Sequence, residues 1–96
     1  MDSPELSVED CVRVIQRARS LQPETNAQLL DAGTDPERRP DGPDGLSVGD
    51  VYAISFALCD LFPAPGQPPG CICADLLQQA CEFLYAVKMG QKAAKN

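Results

Sequence analysis

The stretch from Val48 to Phe62, V-G-D-V-Y-A-I-S-F-A-L-C-D-L-F, carries only two charges, Asp50 and Asp60. A helix at the surface of a small protein keeps one polar face for water. This segment has almost none, so it needs cover on several sides. A chain of 96 residues builds a modest core and has little surface to spare for that cover. The expectation that follows is a partner chain, either another protein or a second copy.

As a helix, the segment presents three stripes. Val51, Ile54, Leu58 and Leu61 form a large apolar one. Gly49, Ala53 and Ala57 form a second that is small at every step, a spacing that lets another helix approach closely. Tyr52, Ser55, Phe56 and Cys59 form a third, partly aromatic edge. The expected partner-binding residues are Gly49, Ala53 and Ala57 of the small stripe, Tyr52 and Phe56 of the aromatic edge, and Phe83 and Tyr85 of the last helix beside them. Apolar and aromatic side chains are the usual anchors of interfaces. The competing reading makes this the central helix of a bundle, covered by its own chain.

The rest of the chain predicts helices around it. Ser7 is an N-cap residue with Asp10 three positions on, and Val8, Cys11, Val12, Ile15 and Ala18 follow at helical spacing. Gln22-Pro23 predicts a break there. A short second helix is expected from Pro23 to Ala32, with Gly33 placed to end it. The third helix starts at Ser47, again with an acid three residues later, and ends near Phe62-Pro63. The fourth is expected from about Cys71 to Met89, with Ile72, Leu76, Leu77, Ala80, Phe83, Leu84 and Val87 on its apolar face. Asp75 in its first turn and Lys88 in its last suit the helix dipole. The tail from Gly90 to Asn96 should fray.

Two stretches read as loops. Residues 33–45, G-T-D-P-E-R-R-P-D-G-P-D-G, are rich in turn formers and charge, and predict an exposed, mobile segment that buries nothing. Residues 63–70, P-A-P-G-Q-P-P-G, predict a stiff connector. Leu6-Ser7-Val8-Glu9-Asp10 recurs 40 residues later as Leu46-Ser47-Val48-Gly49-Asp50, and Leu21-Gln22-Pro23 recurs as Leu61-Phe62-Pro63 at the same offset. A duplicated hairpin would give this pattern. So would shared helix grammar, which is the preferred reading because the helices between the marks do not match.

No pattern points to catalysis. The chain has no histidine, so neither a Ser-His nor a Cys-His nucleophile can be assembled. No phosphate-binding glycine motif is present. Cys59, Cys71, Cys73 and Cys81 are weak candidates for a thiolate metal site, but zinc sites prefer paired C-x2–4-C knuckles and here the close pair is C-x-C. Small buried thiols explain the same residues. The segment from Asp41 to Asp50 fails the calcium-loop pattern, since the position that needs Gly is Leu46 and the position that needs Glu is Tyr52. A net charge of −6 argues against a nucleic-acid or anionic-membrane surface. The N-terminal M-D-S-P-E has no apolar leader, so the expected location is intracellular, cytoplasmic or nuclear, with reduced thiols.

The reading is an all-α single domain over residues 1–96: a small four-helix bundle of two helical hairpins with the third helix central. Its expected role is that of a non-enzymatic protein–protein interaction module, such as an adaptor, assembly subunit, chaperone or inhibitor. It needs no cofactor, and its partner is another protein or a second copy. A cysteine-based metal or redox protein, and an acidic antagonist of a nucleic-acid-binding protein, are the two alternatives of different class.

Overall fold

The computed structural model describes residues 5–43, 45–62 and 74–94, and the side chains of that span up to residue 90. The described residues form three helices and no strand: α1 (Val8–Asp31), α2 (Val48–Leu61) and α3 (Ala74–Ala94). The chain is all-helical, as its periodicity predicts. The expected first and second helices are one element, so three helices stand where four were read.

Pro23 lies inside α1 rather than at a break. A proline in a helix interior removes one backbone bond, here to the Arg19 carbonyl, and crowds the preceding turn. Two circumstances make that tolerable. Pro23 is exposed, so the orphaned carbonyl lies where solvent can replace the missing donor. The buried face also continues through the proline: Val14, Ile15 and Ala18 before it, Thr25 and Leu29 after it. Burial of that continuous stripe outweighs the local penalty, as tertiary packing commonly overrides propensity. The helix ends where glycine predicts. Gly33 takes φ +82°, its N–H bonds the Leu30 carbonyl at 3.0 Å, and the Thr34 N–H bonds the Leu29 carbonyl at 2.8 Å. This paired closure is a Schellman motif.

α2 returns antiparallel to α1. Gly49, at its start, lies against Gln22 and Asn26, while at its end Asp60 pairs with Arg17 at 2.8 Å and the Arg13 guanidinium sits 5.9 Å from the Phe62 ring centre. α3 runs alongside α1, with Gln79 accepting the Leu6 N–H at 2.7 Å near one end and Lys88 beside Arg19 and Gln22 at the other. The core joins all three: Val14, Ile15 and Ala18 from α1, Ala53, Ile54, Ala57 and Leu58 from α2, Ala80 and Leu84 from α3.

The small stripe of α2 is spent inside this core, which corrects its expected place on a partner surface. Gly49 is buried, and Ala53 and Ala57 have no exposed surface. The helix that approaches them is α1. Because α1 is not broken at Pro23, its 24 residues extend about 36 Å, enough to cover the whole of α2. A point of close approach is Gly49, where a Cβ would collide with Asn26 Oδ1 and lie 3.1 Å from Gln22 Nε2 and 3.2 Å from the Pro36 carbonyl. Asn26 and Gln22 could swing aside. Pro36 could not easily, since its carbonyl accepts the Gly49 N–H at 2.9 Å. Gly49→Ala is therefore expected to lower stability by about 1–2 kcal/mol, although Gly→Ala in an open helix position gains up to ~1 kcal/mol. A denaturation midpoint at or above that of the parent would show that the contact has room.

The loop 33–45 also does more than its composition suggests. Its Arg38 and Pro36 carbonyls accept the Val48 and Gly49 N–H groups at 2.8 and 2.9 Å. Ser47 Oγ accepts the Asp50 N–H at 3.1 Å, and Asp50 Oδ2 accepts the Ser47 N–H at 3.1 Å. All four orphan donors of the α2 N-terminus are thereby satisfied. Pro36 is buried and Gly45 is buried, with Arg39 donating to the Gly45 carbonyl. The segment expected to bury nothing forms the cap of α2.

Ser7 and Ser47 both cap helices, each accepting an Asp N–H at 3.1 Å. The second pair of repeat marks diverges: Pro23 lies within α1, while α2 stops at Leu61. This favours shared capping grammar over two copies of one hairpin. α3 continues through Gly90 to Ala94, past the predicted end at Met89. One glycine costs about 1 kcal/mol in a helix, and the strong helix formers after it carry the helix on. The predicted connector 63–70, Cys71 and Cys73 lie outside the described residues.

Candidate functional site

A groove of about 590 Å³ opens between α2, α3 and the capping loop. α2 contributes Val48, Val51 and Tyr52 to its walls. α3 contributes Cys81, Glu82 and Tyr85, and the loop contributes Leu46 with Pro40 and Asp41 at the edge. The volume lies in the range of ordinary ligand and peptide clefts. Tyr52 is 47% exposed and Tyr85 44% exposed. Two aromatic rings held half in water on facing walls are an unusual way to leave a monomer, because each ring retains a large unburied apolar area.

The groove exists because α3 docks shallowly. Among the described side chains of α3, only Ala80 and Leu84 are buried, while Leu76, Leu77, Cys81, Phe83, Val87 and Met89 are half-buried. α2, by contrast, is covered by α1 on its small stripe. Its open side is the third edge, where Tyr52 and Phe56 are exposed and Ser55 and Cys59 half-buried. The chain thus covers two of the three stripes of α2 itself and leaves the aromatic one.

Asp50 holds the walls in place. Its carboxylate accepts the Ser47 N–H at 3.1 Å, completing a reciprocal capping box. It also accepts from Gln22 Nε2 of α1 at 3.3 Å and from Lys88 Nζ of α3 at 2.8 Å. One side chain, 15% exposed, therefore ties the three helices together. Burial pushes the Asp50 carboxyl up, but the hydrogen bond and charge of Lys88 and the bonds from Ser47 outweigh it and hold it below the usual carboxylate value. On the facing wall, burial raises the Cys81 thiol, and the carboxylates of Asp50 and Glu82 raise it further. Cys81 is thereby kept protonated and weakly nucleophilic, which suits a packing thiol rather than a reactive one.

The residues expected at a partner surface fall into four groups. Tyr52 and Tyr85 both line the groove, one from each helix. Phe56, 44% exposed, lies one turn along α2 over a shallow hollow of about 180 Å³ with Leu21, Thr25 and Gln28 of α1. Phe83 lies on another side of α3, in a cleft of about 570 Å³ shared with Leu6, Val8 and Cys11. Gly49, Ala53 and Ala57 belong to the core. Leu46, Val48 and Glu82 were missed. Leu46 and Val48 read as cap-flanking residues, and nothing in their spacing reveals that they line a groove with α3.

Cys59 is half-buried on α2, two turns beyond the Tyr52 wall that Cys81 faces. Among the described residues, no three Cys, Asp or Glu side chains are arranged to hold a metal ion. Cys11 is buried, and burial together with the Asp10 charge raises its thiol. No described helix is long and apolar enough to cross a membrane. No family model, no curated protein and no solved structure matches the chain.

Proposed function

We propose that this chain is a non-enzymatic protein–protein interaction module that holds an apolar segment of another protein in the groove between α2 and α3. The observation that carries the reading is the facing pair Tyr52 and Tyr85, each nearly half exposed on a mostly apolar floor. Tyrosine contributes a large rigid apolar body and a hydroxyl at modest entropic cost, and it is enriched among the anchors of interfaces. The capping of α2 and the Asp50 junction fix both walls before any partner arrives, so little ordering is left to oppose binding. The absence of histidine from the chain and the raised Cys81 thiol both fit a binding role better than an acid–base or thiolate one.

The test compares Tyr52→Asp and Tyr85→Asp with Leu30→Asp. Leu30 is 63% exposed near the end of α1 and lies outside the groove. Each groove variant should lose the proteins captured by the parent from native extract, while Leu30→Asp keeps them. Circular dichroism and melting should stay near native in all three. A captured set that is unchanged by both tyrosine variants would refute the reading.

A further inference from the structure

We infer that the occupant of the Tyr52–Tyr85 groove is an amphipathic helix with lysine or arginine on its flanks, which lies across α2 and α3 as a fourth helix. The inference rests on the proposed function and names its partner's chemistry. Three observations lead to it.

The first is charge. The two ionisable carboxylates among the groove's lining residues, Asp41 and Glu82, are both exposed at its rim, and no Lys or Arg joins them there. Lys88, outside the lining, is paired with Asp50 at 2.8 Å, and Arg39 holds the Gly45 carbonyl of the groove wall, where its single charge offsets the two carboxylates only in part. Burial raises the Cys81 thiol in the groove wall, and the charges of Asp50 and Glu82 raise it further. An apolar floor with an acidic rim complements an apolar stripe with basic flanks. It repels a second copy of this chain, whose net charge is −6.

The second is backbone chemistry. The described residues include no strand, so they offer no sheet edge for an extended peptide to extend by main-chain pairing. An occupant here binds through side chains, and a helix does so with its own backbone hydrogen bonds already satisfied.

The third is shape. The open surface is a seam between two packed helices. Val48, Val51 and Tyr52 of α2 line it on one side, and Cys81 and Tyr85 of α3 on the other. A helix laid into such a seam places side chains at i, i+3, i+4 and i+7 into it, at ordinary helix-packing distance.

Three synthetic peptides test this against the whole chain labelled with ¹⁵N. Two share one Leu/Ile face at helical spacing and differ only in carrying Lys or Glu beside it. The third is a proline-rich peptide with the same number of lysines. The Lys helix should shift the amide resonances of Val51, Tyr52, Cys81 and Tyr85. It should bind about ten-fold more tightly than the Glu helix at low salt, and the gap should close as salt screens the rim. The double substitution Asp41→Lys and Glu82→Lys should invert the preference. Equal binding of both helices in the groove would overturn the charge inference and leave the docking site standing. Tighter binding of the proline-rich peptide would overturn the helical occupant. No shift at the groove with any peptide would overturn both this inference and the proposed function. Self-association of the parent in light scattering, abolished by Tyr85→Asp, would identify a second copy as the occupant and overturn the basic partner.

Discussion

Ala57→Arg is expected to unfold the domain, while Phe56→Asp, one residue earlier, leaves it folded. Ala57 has no exposed surface and lies in the core shared by the three helices. An arginine there must bury an unpaired charge and displace several neighbours. The combined cost of desolvation and overpacking is about 4 kcal/mol or more, comparable to the whole stability of a small domain, roughly 5–10 kcal/mol. Phe56 is 44% exposed over the hollow beside Leu21. Its replacement by Asp forfeits only part of one ring's burial, about 1 kcal/mol. Far-UV circular dichroism and a urea titration distinguish the two. A folded Ala57→Arg protein would mean that α1 does not cover the small stripe of α2. An unfolded Phe56→Asp protein would mean that the aromatic edge is covered as well, and the case for an open binding surface would fall with it.

The second large effect is expected at Asp50. Asp50→Ala removes the reciprocal half of the α2 capping box, the acceptor of Gln22 and the partner of Lys88 in a single change. A cap is worth about 1 kcal/mol and a charge-assisted bond about 1.5–3 kcal/mol. Lys88 is only partly buried and can turn to solvent, so the total loss is about 2–4 kcal/mol. Lys88→Met keeps the cap and the aliphatic stem and should cost about 1 kcal/mol. The pH dependence follows from the direction of the Asp50 shift. Its carboxyl titrates lower in the folded state than in the unfolded chain. Its contribution is therefore fully present above the unfolded value, about 3.9, and is lost as pH falls through the folded value. The melting difference between the parent and Asp50→Asn should be largest near neutrality and shrink on acidification below about pH 4. A difference that is flat from neutral pH into that acid range would show that the Lys88 and Ser47 contacts do not favour the carboxylate.

Much of the fold is written in local grammar. Ser7 and Ser47 cap helices because a short side-chain oxygen can reach the N–H three residues on. Gly33 ends α1 because the closing turn needs positive φ. The apolar spacing of α3 marks its packed face. In α1 the predicted stripe finds Cys11, Ile15 and Ala18 but includes the exposed Val8 and Val12 and omits the buried Val14. Of the stripes of α2 the small one is core while the aromatic one is open. These signals depend on a few neighbouring residues, and a single sequence displays them.

Other features depend on which surface meets which, and no local pattern carries that. Pro23 looks like a helix end because its effect on one turn is local and unfavourable. It is held within α1 by the burial of Thr25 and Leu29 beyond it, which only the packed bundle supplies. The small stripe Gly49, Ala53 and Ala57 shows that a helix must approach closely. That this helix is α1 of the same chain follows from the length of an unbroken α1. The loop 33–45 reads as solvent-exposed by composition, yet its backbone carbonyls, which have no sequence signature, cap α2. That Tyr52 and Tyr85 line one groove follows from the docking of α3 on residues far away in the chain. Sequence alone determined the helical class, the caps and the apolar faces, because those are set by interactions within a few turns. Tertiary structure decided which faces the chain buries for itself and which it leaves open, because that choice is made by contacts between elements whose separation the local pattern does not encode.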